Sequence, residues 1–305
     1  MPSPKDFDPK YDDTGIEYFS IPSFTFVSGV KKPVKIAYRS FNPSGKKTAL
    51  IPTCYGGRIN DTLNFTSGAL KDYHVIVVAM LGNGESSAPS NYSEFPADYS
   101  LRYQDCINSQ YKLVTEHFGL KSLDAVIGFS MGGQQAYYWA VMHGSGEEPF
   151  VKNVVPICGS AKTSGHSEYF DRLSVGSSDE IEFTTLRRNE IEADCLNVLS
   201  NSADLKTDYA FLEGPIAALT TSYDYDGGKY RKNGLTTPVQ GMRAFGRAYA
   251  AWLTSPEWFR QELWRSEGTA SLKDWLHPPE GESGFEKWDA EDVGALLSLL
   301  CRNVD

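Results

Sequence analysis

The chain has 305 residues, enough for one large α/β domain or two small ones, and 41% hydrophobic against 22% charged residues is ordinary material for a sizeable core. A formal net charge of -10, with no basic run and no aromatic-interleaved Lys/Arg patch, excludes nucleic acid and anionic membrane as expected partners. Five scattered cysteines (Cys54, Cys106, Cys158, Cys195, Cys301) without a Cys-x-x-Cys or Cys/His cluster argue against a disulfide framework or a zinc site. Nothing at the start resembles a secretion signal and no run approaches the ~18 apolar residues of a bilayer span, so a cytoplasmic setting is expected.

In chain order, the alternating, β-rich stretches Phe19–Val27 and Val34–Arg39, with Gly29 between them, predict a hairpin. Short apolar runs follow at Thr48–Thr53, His74–Ala79, Leu123–Phe129 and Val151–Ile157. Runs of this kind suit parallel strands covered on both faces. Helical spacing of Leu101, Ile107, Tyr111, Val114 and Phe118 predicts a helix over Ser100–Phe118 with Ser100 as N-cap, and Gly132–Met142 predicts a second. Alternation of strand and helix points to a doubly wound α/β sheet. Beyond residue 160 the pattern turns helical, with Val239–Leu253, Pro256–Trp264 behind an N-capping Ser255, and a last helix from Asp289 to Leu300. No strand is predicted after Ile157.

Chemistry concentrates in Gly128-Phe-Ser130-Met-Gly132-Gly133, a Gly-x-Ser-x-Gly string between an apolar strand and a helix. A strand that turns abruptly into a helix strains the serine and tolerates only small neighbours; it lifts the hydroxyl to the positive end of the helix. Ser130 is therefore the predicted nucleophile, and the amide of Met131 one donor to the oxyanion of a tetrahedral intermediate. The loop Pro52-Thr-Cys-Tyr-Gly-Gly, after the third strand, is expected to supply the second donor from the amide of Tyr55. Cys54 reads as a small buried residue, since nothing near it would make a thiolate. Leu81-Gly-Asn-Gly-Glu-Ser-Ser is a second glycine-rich loop on the same edge, expected to shape the pocket. No helix with Lys-Ser/Thr follows it, which argues against a phosphate cradle.

Ser130-Met-Gly-Gly-Gln, Thr53-Cys-Tyr-Gly-Gly, Leu81-Gly-Asn-Gly, Gly159-Ser-Ala-Lys-Thr-Ser and Phe211-Leu-Glu-Gly-Pro, together with the helical region to Leu300, resemble the homoserine O-acetyltransferase family of the α/β-hydrolase superfamily. The resemblance implies an α/β-hydrolase fold, a mostly parallel sheet with a helical cap, here lacking the last strands. It implies acyl transfer through a Ser130 acyl-enzyme, from a small-molecule donor such as an acyl-CoA to an alcohol, or to water in diverged members that act as esterases. No bound cofactor is implied, acyl-CoA being a co-substrate, and a homodimer is. On this reading residues 1–166 are the core, 167–208 an insertion and 209–305 the cap, with the pocket between Tyr55, Ser130 and the cap.

The resemblance also implies a triad in the order serine, acid, histidine, the last two beyond the cap, where this chain has no counterpart. Of five histidines, His74 and His117 precede the elbow, and His143 lies ~20 Å along the helix from Ser130. His166, and His277 with Asp274 nearby, are the remaining candidates for the base. The stretch Ser167–Asp208 inserts about 40 polar, acidic residues where the family has a direct connection. It reads as translated intron, with the C-terminal stop an artefact of the same kind, or as a genuine surface insertion. Three functions stay open: acyl transfer, ester hydrolysis on the same site, and a non-catalytic product.

Overall fold

The computed structural model describes residues 3–95, 101–159, 214–279 and 284–300. Two compact units are present. One contains the sheet and takes in the last helix from Glu291; the other holds the N-terminal stretch to Lys10 and the helices from residue 214 to Ala290. This differs from the sequence-based division, which places the last helix with the cap. The reason is local: Leu296 and Ala295 pack on Gly82 of the loop after the fourth strand, and Asp292 accepts from the amide of Ser90 at 2.9 Å.

The sheet has six strands: β1 Glu17–Thr25, β2 Lys31–Phe41, β3 Lys47–Pro52, β4 Tyr73–Val78, β5 Ala125–Phe129 and β6 Val154–Ile157. Their order is β1-β2-β4-β3-β5-β6, with β1–β2 and β2–β4 antiparallel and β3–β4, β3–β5 and β5–β6 parallel. All six fall on the predicted runs. Alternate residues of the central strands point to opposite faces. Ala49, Ile51, Val75, Val77, Ala125 and Ile127 join one buried cluster, while Leu50, Ile76, Val78 and Val126 are equally buried on the other face. Burial on both sides is why these strands read as unbroken apolar runs. Among the described residues no strand follows Ile157.

After a short helix α1 (Pro4–Phe7) in the second unit, the sheet unit carries α2 (Tyr103–Lys112) and α3 (Met131–His143). The expected N-cap Ser100 lies outside the described residues. The cap is Arg102, whose amide donates to Asp105 at 2.8 Å, and Asp105 also takes the Val27 amide at 2.7 Å. A π-turn over Leu113–His117 continues α2 to the predicted end. Helix α3 packs on β3, β5 and β6 and buries Met131, Ala136, Tyr138 and Trp139.

In the second unit, α4 spans Val239–Leu253 as predicted and buries Met242 and Phe245. Phe245 packs edge-on against Phe285 at 5.1 Å, and the Asp224 carboxylate takes the amides of Gln240 and Gly241 at the start of α4. The predicted helix Pro256–Trp264 is shorter. Glu262, at φ 53°, ends α5 (Pro256–Arg260) and opens a separate 3-10 turn at Leu263–Glu267. Ser255 caps α5, accepting from Trp258 N at 3.2 Å. Then come α6 (Leu272–Leu276) and the Asp289 carboxylate, buried against Arg231 at 2.6 Å, before α7 (Ala290–Leu300), which from Glu291 belongs to the sheet unit. Among the described residues no helix is long and apolar enough to cross a membrane, and no group of His, Cys, Asp or Glu is placed to hold a metal.

Candidate active site

Parallel strands bring their C-terminal ends to one edge, so Pro52, Val78, Phe129 and Ile157 deliver four loops to the same place. Ser130 stands at the turn from β5 into α3 with φ 52° and ψ −117°, a conformation that costs an L-residue about 1–3 kcal/mol. Its amide donates to Ile157 O on β6 at 2.8 Å, and its carbonyl accepts from Gln134 N at 3.1 Å. The residue is held from both sides of the turn. Glycines around it leave no room for a methyl group. A Cβ at Gly128 would lie 1.9 Å from Gly132 O, one at Gly132 would lie 2.7 Å from Pro52 O, and one at Gly133 would lie 2.9 Å from the Gly159 Cα. The string Gly-x-Ser-x-Gly-Gly thus has a steric meaning at each glycine. The amide of Met131 opens α3, where the first-turn N–H groups lack partners within the helix and carry its positive end.

The loop after β3 begins against this turn. Gln135 on α3 donates to Thr53 O at 3.0 Å and receives Gln110 Nε2 at 2.7 Å; Gln110 in turn accepts from Trp139 Nε1 at 2.9 Å. Next to it, Gln134 receives the Tyr103 hydroxyl, and Tyr103 stacks on Tyr138 at 4.9 Å. The two glutamines of the elbow helix therefore fasten it to α2 and to the β3 loop. Gln135→Leu would leave the Thr53 carbonyl and the Gln110 amide short of partners in a dry interior. A loss of about 1–3 kcal/mol is expected, read as a lower urea midpoint at unchanged slope.

Beyond Thr53 the chain makes a tight turn, closed by Gly57 N on Cys54 O at 3.0 Å, with Tyr55 and Gly56 at its centre. Gly56 has φ 67°, the value a type II turn needs at its third residue. Burial pushes the Cys54 thiol up from its usual value, in keeping with an unreactive side chain. The turn runs into a buried polar set that sequence reasoning did not single out. Arg58 Nη1 donates to Asn83 O at 2.6 Å, and the Ile59 amide donates to the Glu85 carboxylate at 3.0 Å. Arg58, Asn83 and Glu85 are all buried. The only sequence signal is a charge inside a glycine-rich loop.

Four of the five histidines are described, and the three in the sheet unit are committed elsewhere. His74 begins β4 beside Thr48, at the opposite end of the sheet from Ser130, and its Nε2 meets Ser40 Oγ at 2.9 Å. His117 Nε2 meets the Tyr38 hydroxyl at 2.6 Å. His143 ends α3, stacked on Tyr111 at 4.3 Å, and burial lowers its pKa. His277, in the second unit, sits 3.2 Å from Arg247 Nη1. Among the described residues no side chain hydrogen-bonds the Ser130 hydroxyl; His166 and the 167–208 insertion lie outside them.

The family described as alpha/beta hydrolase fold matches residues 51–189. An ethyl acetate hydrolase from Pseudomonas veronii is 28% identical over 242 residues, 77% of this chain and 56% of that protein. A probable esterase from Corynebacterium glutamicum is 28% identical over 269 residues, 82% of this chain and 63% of that protein. The chain thus spans roughly three fifths of the length of these curated relatives. Homoserine O-acetyltransferases match over only 21% to 30% of this chain. Among solved structures, the acetyl esterase MekB superposes with a TM-score of 0.71 at 24% identity, over 95% of this chain and 74% of its own. In its sheet and in the solved structures it superposes on, this chain has the α/β-hydrolase fold.

Proposed function

We propose that this chain carries the nucleophile side of a carboxylic-ester hydrolase acting on small acyl esters, with Ser130 as nucleophile. The observation that carries the reading is the backbone of Ser130, strained at φ 52° in a turn where Gly128, Gly132 and Gly133 have no room for a methyl group. Strain of this kind persists where the surrounding fold imposes it, and it clusters at reacting groups. Ser130 Oγ attacks the ester carbonyl, the amides of Met131 and Tyr55 hold the oxyanion, and the alcohol leaves with a proton. Water then attacks the acyl-Ser130 ester and releases the acid. Within the sheet unit His74, His117 and His143 are bonded or stacked away from the serine, which keeps His166 and His277 as the candidates for the general base.

Water, not an alcohol, is the preferred acceptor on this reading, because the relatives that match most of the chain are named as ester hydrolases. In sequence, the homoserine O-acetyltransferases align over less than a third of the chain. Acetate release from ethyl acetate and 4-nitrophenyl acetate, with and without added alcohol or homoserine, tests this. Turnover in plain buffer, unchanged by the acceptor, is expected. Acceptor-dependent turnover from acetyl-CoA would move the assignment to acyl transfer. No turnover and no phosphonate on Ser130 would leave a binding or inactive product.

A further inference from the structure

We infer that Glu85 and Arg58 are positioning residues that fix the loop presenting the Tyr55 amide, an inference that rests on the Ser130 reading. The loop is held at both ends and free of strand pairing between them. At its near end the Thr53 amide donates to Val78 O at 2.9 Å, its Oγ1 accepts from Met80 N at 3.2 Å, and its carbonyl takes Gln135 at 3.0 Å. At its far end Glu85 receives the Ile59 amide through both oxygens, at 3.0 and 3.2 Å. The same carboxylate takes the Tyr11 hydroxyl at 2.8 Å and Asn83 Nδ2 at 3.1 Å. Asn83 closes the set, taking Arg58 on its carbonyl at 2.6 Å and the Glu85 amide on Oδ1 at 3.0 Å.

Three features make this more than a structural polar cluster. First, the set is dry: Glu85 is 2% exposed, Asn83 0% and Arg58 7%. Burial raises the Glu85 carboxyl, an effect the Arg58 guanidinium offsets only in part. An apolar packing of equal volume would hold a fold at least as well, whereas directed hydrogen bonds fix where a backbone amide sits. Second, Gly84, at φ 82°, is the point where Arg58 and the last helix converge: a Cβ there would lie 2.7 Å from Asp292 Oδ2 and 3.2 Å from Arg58 Nη1. Asp292 is itself bound to Ser90 Oγ at 2.6 Å. Third, the clamped residues flank a tight turn whose centre is Tyr55, and an oxyanion donor must lie within 2.7–3.1 Å of the developing charge. Small drift of that turn would weaken the transition state and leave ground-state binding almost unchanged.

The test compares the full chain with Glu85→Gln and Tyr11→Phe. The titre of sites labelled by a fluorophosphonate counts correctly folded Ser130, and all rates are expressed per labelled site. Glu85→Gln is expected to lower kcat for 4-nitrophenyl acetate by about 10- to 100-fold, with KM within about twofold. Affinity for a trifluoromethyl ketone, which forms an oxyanion on the serine, should fall in proportion. Amide exchange should quicken over Thr53–Ile59 and stay slow in β4 and β5. Tyr11→Phe, which removes one hydrogen bond, should move the same readouts less. Unchanged kcat per labelled site with unchanged exchange overturns the inference. So does a loss of kcat matched by faster exchange across the whole sheet, the mark of a merely structural role. If the unmodified chain takes no phosphonate, the Ser130 reading fails separately, and exchange over Thr53–Ile59 alone decides whether the clamp holds the loop.

Discussion

Ser130→Ala is expected to lose fluorophosphonate labelling outright and to lower ester hydrolysis by at least about 10⁴-fold, since a nucleophile and its base fail together. Stability should change by less than about 1 kcal/mol, because alanine inherits the same backbone and the hydroxyl has no partner among the described residues. Ser130→Gly separates chemistry from strain more sharply. Glycine adopts φ 52°, ψ −117° without the steric cost of about 1–3 kcal/mol, and about 0.5–1 kcal/mol of that is returned as extra chain entropy in the unfolded state. The glycine variant should therefore be inactive yet more stable than the parent by about 1 kcal/mol, measured as a higher urea midpoint at unchanged slope. Labelling that survives in Ser130→Ala would place the nucleophile elsewhere. A glycine variant less stable than the alanine one would show that the turn is not strained.

What the sequence made legible was whatever depends on neighbours in the chain. The hairpin strands alternate, the other four are short apolar runs, and the elbow announces itself because strand, serine, glycines and helix are consecutive. The order of the strands was not legible: β4 inserts between β2 and β3, a choice set by long-range packing that leaves no trace in local pattern. The start of α2 was read less well because its capping carboxylate is shared with a backbone amide distant in the chain. Asp105 caps α2 while holding Val27 on the hairpin, so the start moved to Tyr103. The buried set around Glu85 was hidden for the same reason, its members at Tyr11, Arg58, Glu85 and Asp292 being joined only by the fold. The compact units differ from the sequence-based division at α7, because apolar Leu296 and charged Asp292 look alike whichever unit they pack on.

Gly128→Ala should be the most damaging single methyl in the sheet unit. The added carbon would sit 1.9 Å from Gly132 O, 2.1 Å from Gly132 C and 2.6 Å from Gly133 N. All three are backbone atoms of the first turn of α3, so nothing flexible can swing aside. Relief requires moving α3 off β5, and that movement would pull Gln135 from Thr53 O and Ser130 N from Ile157 O. A cost above about 4 kcal/mol is expected, a large part of the 5–15 kcal/mol that a domain has in total. Gly119→Ala is the control: its φ of 66° is left-handed, yet no atom lies within 4 Å of the new methyl. Backbone strain alone should cost it about 1–2 kcal/mol. Urea unfolding of the two variants beside the parent separates the effects, and equal midpoints would mean that strand and helix do not approach this closely. The same contact also ties stability to chemistry. The distance that excludes a methyl at Gly128 is the distance that forces Ser130 into its strained turn, so a second substitution that restores folding by pushing α3 outward should relax the serine and still fail to restore phosphonate labelling.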